Sequence, residues 1–522
     1  MSLQIPTFRL VNNLREMGLP SLLPRAAFFV AVSVATGMTI HAASDPVLNL
    51  LISKGIVSEE EARKAETEVE QLRTNNAALP ADSSKWRINN AFKYVELFGD
   101  ARVRYENRSV QDPAGGRINL ERPRYALRLG LRGEVFDNFY YGLRIETSSN
   151  PRSTWATFGS PSSAPFGKST AGVGIGQIYL GARPTSWADL TVGKMPNPFY
   201  TTSMVWDGDL NPEGLAERFK YTVGEVDLFA NFGQFIYQDT NPNEASRGYF
   251  NLNYNTANLP FLIGWQGGVN YHITPKTSFK VAPVLYNYTG RGANNGGNIT
   301  SPDFSGTFIG QGSSFGVSGN PAYYNLGSYN GFFSNQTGVN SLLVLDIPWE
   351  LNIKLNALSL RLFGDYAINL RGRNRADDAF AAQKSPLFEG TGIILIPSSQ
   401  TKDTKAYQFG VAIGNKDSLG LVTGSTSKKH AWEFRTYWQH VEQYALDPNL
   451  LDSDFFEGRG NLQGIYVGLA YGLTDNIIGT VRYGHAERIN SKLGTGGSNL
   501  DIPQLNPIKQ YELIQLDLSV KF

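Results

Sequence analysis

Six arginines at short, even spacings are the side chains in this sequence best suited to electrostatic work. Arg124, Arg128 and Arg132 recur at every fourth residue, Arg102 and Arg104 precede them, and Arg144 follows. In an extended segment side chains alternate with period two, so even spacing puts a segment's arginines on one face. Such a face attracts anions. The sequence leaves open whether it acts on solutes or pairs with Asp100, Glu106 and Glu146 and only fills space, though six cations meet three acids there. A second group is acidic: Asp207, Asp209, Glu213 and Glu217, in a proline-bearing stretch (Pro196, Pro198, Pro212) with Phe199 and Trp206 as apolar anchors. If that stretch folds as a loop opposite the arginines, the two groups create a transverse field, which low-dielectric walls focus. The alternative is a loop whose acids are merely solvated.

Catalytic and metal chemistry find little support. There is no cysteine, which removes disulfides, thiolate metal sites and cysteine nucleophiles. The histidines are His41, His272, His430, His440 and His485. None has a GxSxG-type context, and a nucleophile needs base and orienting group within mutual reach. No HExxH spacing occurs. Asp447, Asp452, Asp454 and Glu457 could attract calcium by charge, but a solvated loop is the preferred reading. The expectation is therefore no enzyme, no metal and no cofactor. With 18% charged residues and a net charge of +1, the chain is also no nucleic-acid binder.

The elements that carry these charges announce themselves by alternation. Tyr125, Leu127, Leu129 and Leu131 oppose Arg124, Arg128 and Arg132. Leu343, Leu345, Ile347, Trp349, Leu351 and Ile353 oppose Asp346, Glu350, Asn352 and Lys354, and Leu358, Leu360, Leu362, Tyr366 and Ile368 oppose Arg361, Asp365 and Asn369. Ile514, Leu516, Leu518, Val520 and Phe522 oppose Gln515, Asp517, Ser519 and Lys521. A soluble sandwich also alternates. Here, however, the apolar faces run for five or six alternate positions, about ten residues, which suits a tilted crossing of a bilayer. Aromatics gather near strand ends (Phe136, Phe139, Tyr141, Trp187, Trp265, Tyr271), and the opposite faces are charged or small, as in a wet lumen. Strands in lipid cannot leave open edges, so they must close. After residue 50 no apolar run is long enough for a helical span.

Connections fall into two kinds. Short ones lie at 136–138, 183–187, 223–225, 274–276, 356–357 and 474–475. Eight long ones lie at 107–122, 148–172, 196–214, 238–259, 289–338, 371–403, 444–460 and 488–507. The count predicts an all-β, antiparallel up-and-down transmembrane barrel of about sixteen strands over residues 90–522. Eighteen is the alternative if Tyr249–Tyr254 adds a strand, and the long turn-side stretch 415–429 fits least well. Ahead of the barrel, Arg25 precedes the apolar stretch 26–38, and small residues follow at Ala42 and Ala43, so residues 1–43 read as a signal peptide. Met17 is an alternative start. Ser58 with Glu61 forms a capping box, placing a short helical periplasmic module at 44–74, and residues 75–89 read as a linker.

The segment GKMPNPFYTTSMVWDGDLNPEGLAERFKY (193–221) resembles the corresponding stretch of the bacterial "putative porin" family of outer-membrane proteins. LLISKGIVSEEEA (50–62), LRLFGDYAINL (360–370) and HAWEFRTYWQHVEQYA (430–445) match as well. The C-terminal Phe522 resembles the signature read by outer-membrane assembly machinery. The resemblance implies an outer-membrane β-barrel, a homotrimer surrounded by membrane lipids, passing small hydrophilic solutes and ions. Passive diffusion through a water-filled barrel is the leading expectation. A channel specific for sugar, phosphate or another oxyanion, and a non-conducting adhesin or structural barrel, are the alternatives. The arginine excess on the first strands predicts a modest preference for anions.

Overall fold

The computed structural model describes residues 85–86 and 92–522, apart from 114, 136–137, 149–152, 160–171, 238–260, 290–340, 384–402, 426–427, 498–499, 503–504 and 506. The expected signal peptide, helical module and Tyr249–Tyr254 strand lie outside the described residues, as does most of the linker. Within the linker range, Lys85–Trp86 pairs with the first barrel strand.

The described strands form a closed antiparallel barrel of sixteen: β1 (Tyr94–Gln111), β2 (Arg117–Glu134), β3 (Phe139–Ser148), β4 (Gly172–Thr185), β5 (Ala188–Lys194), β6 (Glu213–Val223), β7 (Val226–Ile236), β8 (Phe261–Thr274), β9 (Thr277–Val281 and Val284–Thr289), β10 (Leu343–Asp346 and Trp349–Lys354), β11 (Leu358–Asn369), β12 (Lys405–Asn415), β13 (Trp432–Val441), β14 (Leu462–Gly472), β15 (Ile477–Arg488) and β16 (Gln510–Lys521). Each pairs with its neighbours in sequence, and β16 returns to β1 with Asp100 opposite Lys521 and Gln111 opposite Gln510. Closure gives every strand two partners, so no backbone edge meets lipid.

The alternation resolves as a wall with an oily outside. Val103, Leu127, Leu180, Val192, Leu469 and Leu518 are exposed on the exterior, whereas Arg104, Glu106, Asp365, Gln408 and Asp517 are buried inside. A soluble β protein would place those leucines in a dry interior.

Three local readings change. Residues 107–122, expected to be a loop, are mostly strand: β1 and β2 run for 18 residues each and only 112–116 connect them. The polar side chains that suggested a loop instead pair across the hairpin, Asn107 Nδ2 with Glu121 Oε1 at 3.0 Å and Ser109 Oγ with Asn119 Oδ1 at 2.7 Å. Residues 371–403 contain a helix, α1 (Gly372–Gln383). Finally, β9 and β10 are each interrupted at a proline, Pro283 and Pro348, which lack the N–H a ladder needs. The two breaks face each other, and Ala282 N–H bonds Pro348 O at 3.1 Å.

Candidate pore constriction

The connection from β5 to β6 (residues 195–212) turns into the lumen. Its entry is Gly193, at φ 120°, where an added Cβ would lie 2.4 Å from Ile178 O. Inward-facing glycines on β7 and β8 then make a seat for Phe199: a Cβ on Gly264 would come within 2.2 Å of its ring. Phe199 and Trp206 pack around Phe235 and Tyr286 with ring centroids 5.5 to 6.4 Å apart. Beyond this anchor the loop reaches the opposing wall. Thr201 Oγ1 donates to Asp346 Oδ2 on β10 at 3.2 Å, and Thr202 Oγ1 to Asp365 Oδ2 on β11 at 2.5 Å. Both acceptor residues are buried, at 0% and 2% exposure.

A second connection, from β13 to β14 (442–461), folds in to meet the first. Asp207 N–H bonds Leu450 O at 2.6 Å and Asp452 N–H bonds Ser203 O at 3.2 Å. Ser453 donates through N–H and Oγ to Asp207 Oδ2, at 3.2 and 3.1 Å. From the β3–β4 connection, Trp155 lies against the arginines, its ring centroid 4.0 Å from the Arg104 guanidinium carbon. On the short-turn side, residues 416–425 also enter: Gly420 and Val422 N–H groups bond Glu433 Oε2 at 2.7 and 3.0 Å, and Arg482 Nη2 bonds Val422 O at 3.0 Å.

The space left between these segments is a cavity of about 490 Å³. It is bounded by Arg102, Arg104, Arg361, Arg435 and Arg482 on one side of the charge balance, and by Asp207, Asp209, Glu350, Asp452 and Asp454 on the other. A barrel that is apolar outside, charged inside and narrowed by infolded loops has the build of an aqueous pore. Residues 115–522 match the family model described as "putative porin". The chain belongs to the putative porin family. It is a β-barrel channel of the outer membrane. Two solved structures are similar to this porin at 10% sequence identity. The anion-selective porin from Comamonas acidovorans is matched over 82% of this chain and 99% of its own, with a TM-score of 0.39. The outer membrane channel DcaP of Acinetobacter baumannii is matched over 83% and 99%, with a TM-score of 0.40. Among curated proteins there is no match.

The six expected arginines of the porin all find carboxylates. Arg104, 2% exposed, bonds Asp517 at 2.7 and 2.9 Å and Asp454 at 2.8 Å. Arg128 bonds Asp100 at 2.8 Å and reaches Asp209 at 3.3 Å. Arg102 also bonds Asp100. Arg124 lies 3.5 Å from Glu106 and donates to Trp155 O at 3.3 Å, and Arg144 lies 2.9 Å from Glu146. Arg132, 52% exposed, pairs with Glu96 at 2.8 Å near the short-turn end of β2, away from the cavity. Each of the six thus has a carboxylate partner, and several of those partners are not among Asp100, Glu106 and Glu146. Asp209 and Asp454 arrive on loops, Asp517 on β16 and Glu96 at the foot of β1, all distant or uncounted in sequence.

The acidic group divides. Asp207 and Asp209 lie on the infolded loop, but Glu213 and Glu217 do not: both are on β6, facing outward. Glu213 pairs with Lys194 at 2.7 Å, and Glu217 accepts from Gln234 at 3.1 Å. The loop simply ends at Pro212, and strand parity takes over. The four acids considered for calcium are dispersed rather than solvated together. Asp447 accepts from Tyr237 Oη at 2.7 Å, Glu457 pairs with Arg459 at 3.0 Å, and Asp452 and Asp454 line the cavity. Arg361, Arg435 and Arg482 were missed, although each is out of phase with its apolar neighbours, and that parity is the signal that finds them.

Among the loop carboxyls, burial and then Asp209 push Asp207 well above the usual carboxylate range. Burial and the adjacent Asp454 push Asp452 up to about 7. For Asp454 burial works in the same direction, but Arg104 and Arg108 outweigh it and hold the group at about 2.

Proposed function

We propose that this porin admits small hydrophilic solutes and ions by passive diffusion, with a modest preference for anions. The observation that carries the reading is the meeting of two infolded loops, which sets carboxyl groups against arginines around one cavity. Burial raises Asp207 and Asp452 above the usual carboxylate range, so at neutral pH the acids around the cavity are less fully ionised than the arginines, and the field favours anions. Of the wall arginines, Arg102 and Arg104 line the cavity, and Arg128 reaches its Asp209. Arg124 and Arg144 act mainly by holding carboxylates in place, and Arg132 guards the short-turn mouth.

In this reading residues 1–43 direct export through the periplasm and are removed, residues 44–74 form a small periplasmic module, and 75–89 link it to the barrel. Phe522, exposed at the barrel foot and bonded through its N–H to Gly99 O at 3.1 Å, is presented to the assembly machinery. The mature porin is a homotrimer in outer-membrane lipid, working as a channel and not as an enzyme.

Reversal potentials across planar bilayers under a salt gradient test the selectivity. The expected sign is anionic, and clear cation selectivity rejects it. Saturable block by one class of solute supports a substrate-specific channel instead, and an absence of single-channel steps supports a structural barrel.

A further inference from the structure

On the short-turn side of the infolded 195–212 loop the lumen widens into a second cavity, of about 880 Å³, bounded by Pro198, Phe199 and Tyr200 of that loop. Its charged groups are Arg183, Arg218, Lys220 and Lys280 against Asp189 and Asp227. Both acids are already engaged. Asp189 accepts from Tyr140 Oη and lies 3.1 Å from Arg218 and 3.5 Å from Arg183, which also reaches Glu134 at 3.3 Å. Asp227 accepts from Thr222 Oγ1 at 2.6 Å and lies 3.0 Å from His272 Nε2 and 3.9 Å from Lys220 Nζ. The lining is therefore rich in cations whose acids are shared.

Lys280 stands apart from the other three. It faces the lumen on β9 between Asn270 of β8 and Glu350 of β10, so strand register offers it a carboxylate. Glu350 instead pairs with Arg361, at 3.4 Å. The Lys280 ammonium lies over the Tyr200 ring, 3.6 Å from its centroid and 5.3 Å from that of Phe229, and among the described residues it makes no ion pair. An ammonium resting on aromatic faces keeps its outer side open to an anion. Phe229 in turn lies across Gly268, where a Cβ would fall 2.0 Å from the ring, and its cross-strand neighbour on β6 is Lys220. One aromatic side chain is thus set between two lysines in a wide aqueous space.

We infer that this vestibule holds a subsite for a small organic anion with a flat apolar body, of which an aromatic monocarboxylate is the simplest. Its ring lies against Phe229, and its carboxylate meets Lys280, with Lys220 on the other side. Both halves of the ligand are needed. A bare inorganic anion meets the lysines but leaves the ring faces to water, and a neutral aromatic meets the rings without a charge-assisted bond. The cavity is much larger than such a solute, so one bound at the wall leaves the ion path open. The subsite retains a solute on the exit side of the constriction without filtering others. The inference deepens the anion preference proposed above and rests on that reading.

Saturation-transfer NMR titration of benzoate onto the detergent-folded, full-length porin tests this, with acetate and benzamide as the probes that lack the ring and the charge. Benzoate should bind more tightly than either. Lys280→Gln should weaken benzoate binding at least about tenfold, the loss expected for one charge-assisted bond, while Lys280→Arg keeps it. Phe229→Leu should bring benzoate down toward acetate. Acetate binding as tightly as benzoate, or a Lys280→Gln porin that binds benzoate as the parent does, overturns the inference. So does equal loss in Lys280→Gln and Lys280→Arg, which would mean that the lysine only packs the loop. Folding of each variant is read from its heat-dependent mobility on gels. The reversal potential in a potassium chloride gradient separates the two readings: cation selectivity with benzoate binding intact rejects the general anion preference alone, and anion selectivity without benzoate binding rejects the subsite alone.

Discussion

The inward position of residues 195–212 depends on two hydroxyls. Thr201 and Thr202 donate to Asp346 and Asp365, which are buried. The other carboxyl oxygen of each acid, Oδ1, is buried without a hydrogen-bond partner, so the site has little spare donor capacity. Replacing both threonines by valine keeps the branched shape and removes only the hydroxyls. Each hydrogen bond to such a group contributes about 1.5–3 kcal/mol, so the double variant loses about 3–6 kcal/mol of docking energy. Converted to a ratio of docked to released loop, that is roughly two to four orders of magnitude. The Phe199 and Trp206 anchor remains, so the loop should swing from its far end and not leave the barrel. Single-channel recording is the assay. The parent should show one dominant conductance, and Thr201→Val/Thr202→Val should show long-lived levels of larger conductance. If the two distributions superimpose while the variant still refolds as a barrel, the loop is held by other contacts and the reasoning fails.

Selectivity should depend on pH. Asp452 is neutral below about 7 and ionised above it, so raising pH adds negative charge to the constriction and anion preference should fall between roughly pH 6 and pH 8. Asp452→Asn should flatten that dependence in reversal-potential measurements. Arg128→Ala removes the cation that reaches both Asp100 and Asp209 and should move the reversal potential toward cations. Arg104→Met removes the arginine shared by Asp517 and Asp454, which keep Arg482 and Arg108 respectively, so the cost should stay below the about 3–5 kcal/mol of a fully stranded buried charge, readable as a lower urea midpoint for unfolding in lipid. Leu518→Arg puts a charge on the exterior of β16 and should reduce folding into bilayers by about 2–4 kcal/mol if Leu518 lies near mid-depth, less nearer the interface.

The barrel was legible because lipid enforces a period-two rule over most of the outside, with Glu213 and Glu217 of β6 as departures. Leu127, Leu180 and Leu518 had nowhere else to point, and closure followed from the absence of tolerated edges. The rule fails where the wall rises beyond the apolar band: Asn107, Ser109, Asn119 and Glu121 pair across a hairpin but read as loop, because nothing in their composition says that they are extended. The constriction was half legible. Phe199 and Trp206 signalled an anchored loop, but the glycines that seat Phe199 lie on β7 and β8, and the acids that receive Thr201 and Thr202 lie more than 140 residues onward. Such contacts join strands that local pattern cannot relate.

The arginines illustrate why a tally of charges is a poor guide to a pore. Six guanidiniums in one sector would repel one another and attract any carboxylate within reach, and the fold answers by bringing acids from elements far apart in the chain. Arg104 takes Asp517 from β16 and Asp454 from an infolded loop, while Arg482 from β15 shares the same Asp517. Each pairing neutralises a cation locally, and a neutralised cation contributes little to the field a passing ion meets. What remains is set by the acids that cannot ionise easily. Asp207, enclosed between two loops, and Asp452, beside an Asp454 already claimed by arginines, are the groups whose ionisation burial holds back. The proposed anion preference rests on the desolvation of two carboxyl groups more than on the number of arginines. On that account Asp207→Asn should shift selectivity at neutral pH only slightly, although it removes a formal carboxylate from the cavity lining. A large shift toward anions on that substitution would mean that Asp207 is ionised in the working channel, and the field would have to be reassigned to the arginines alone.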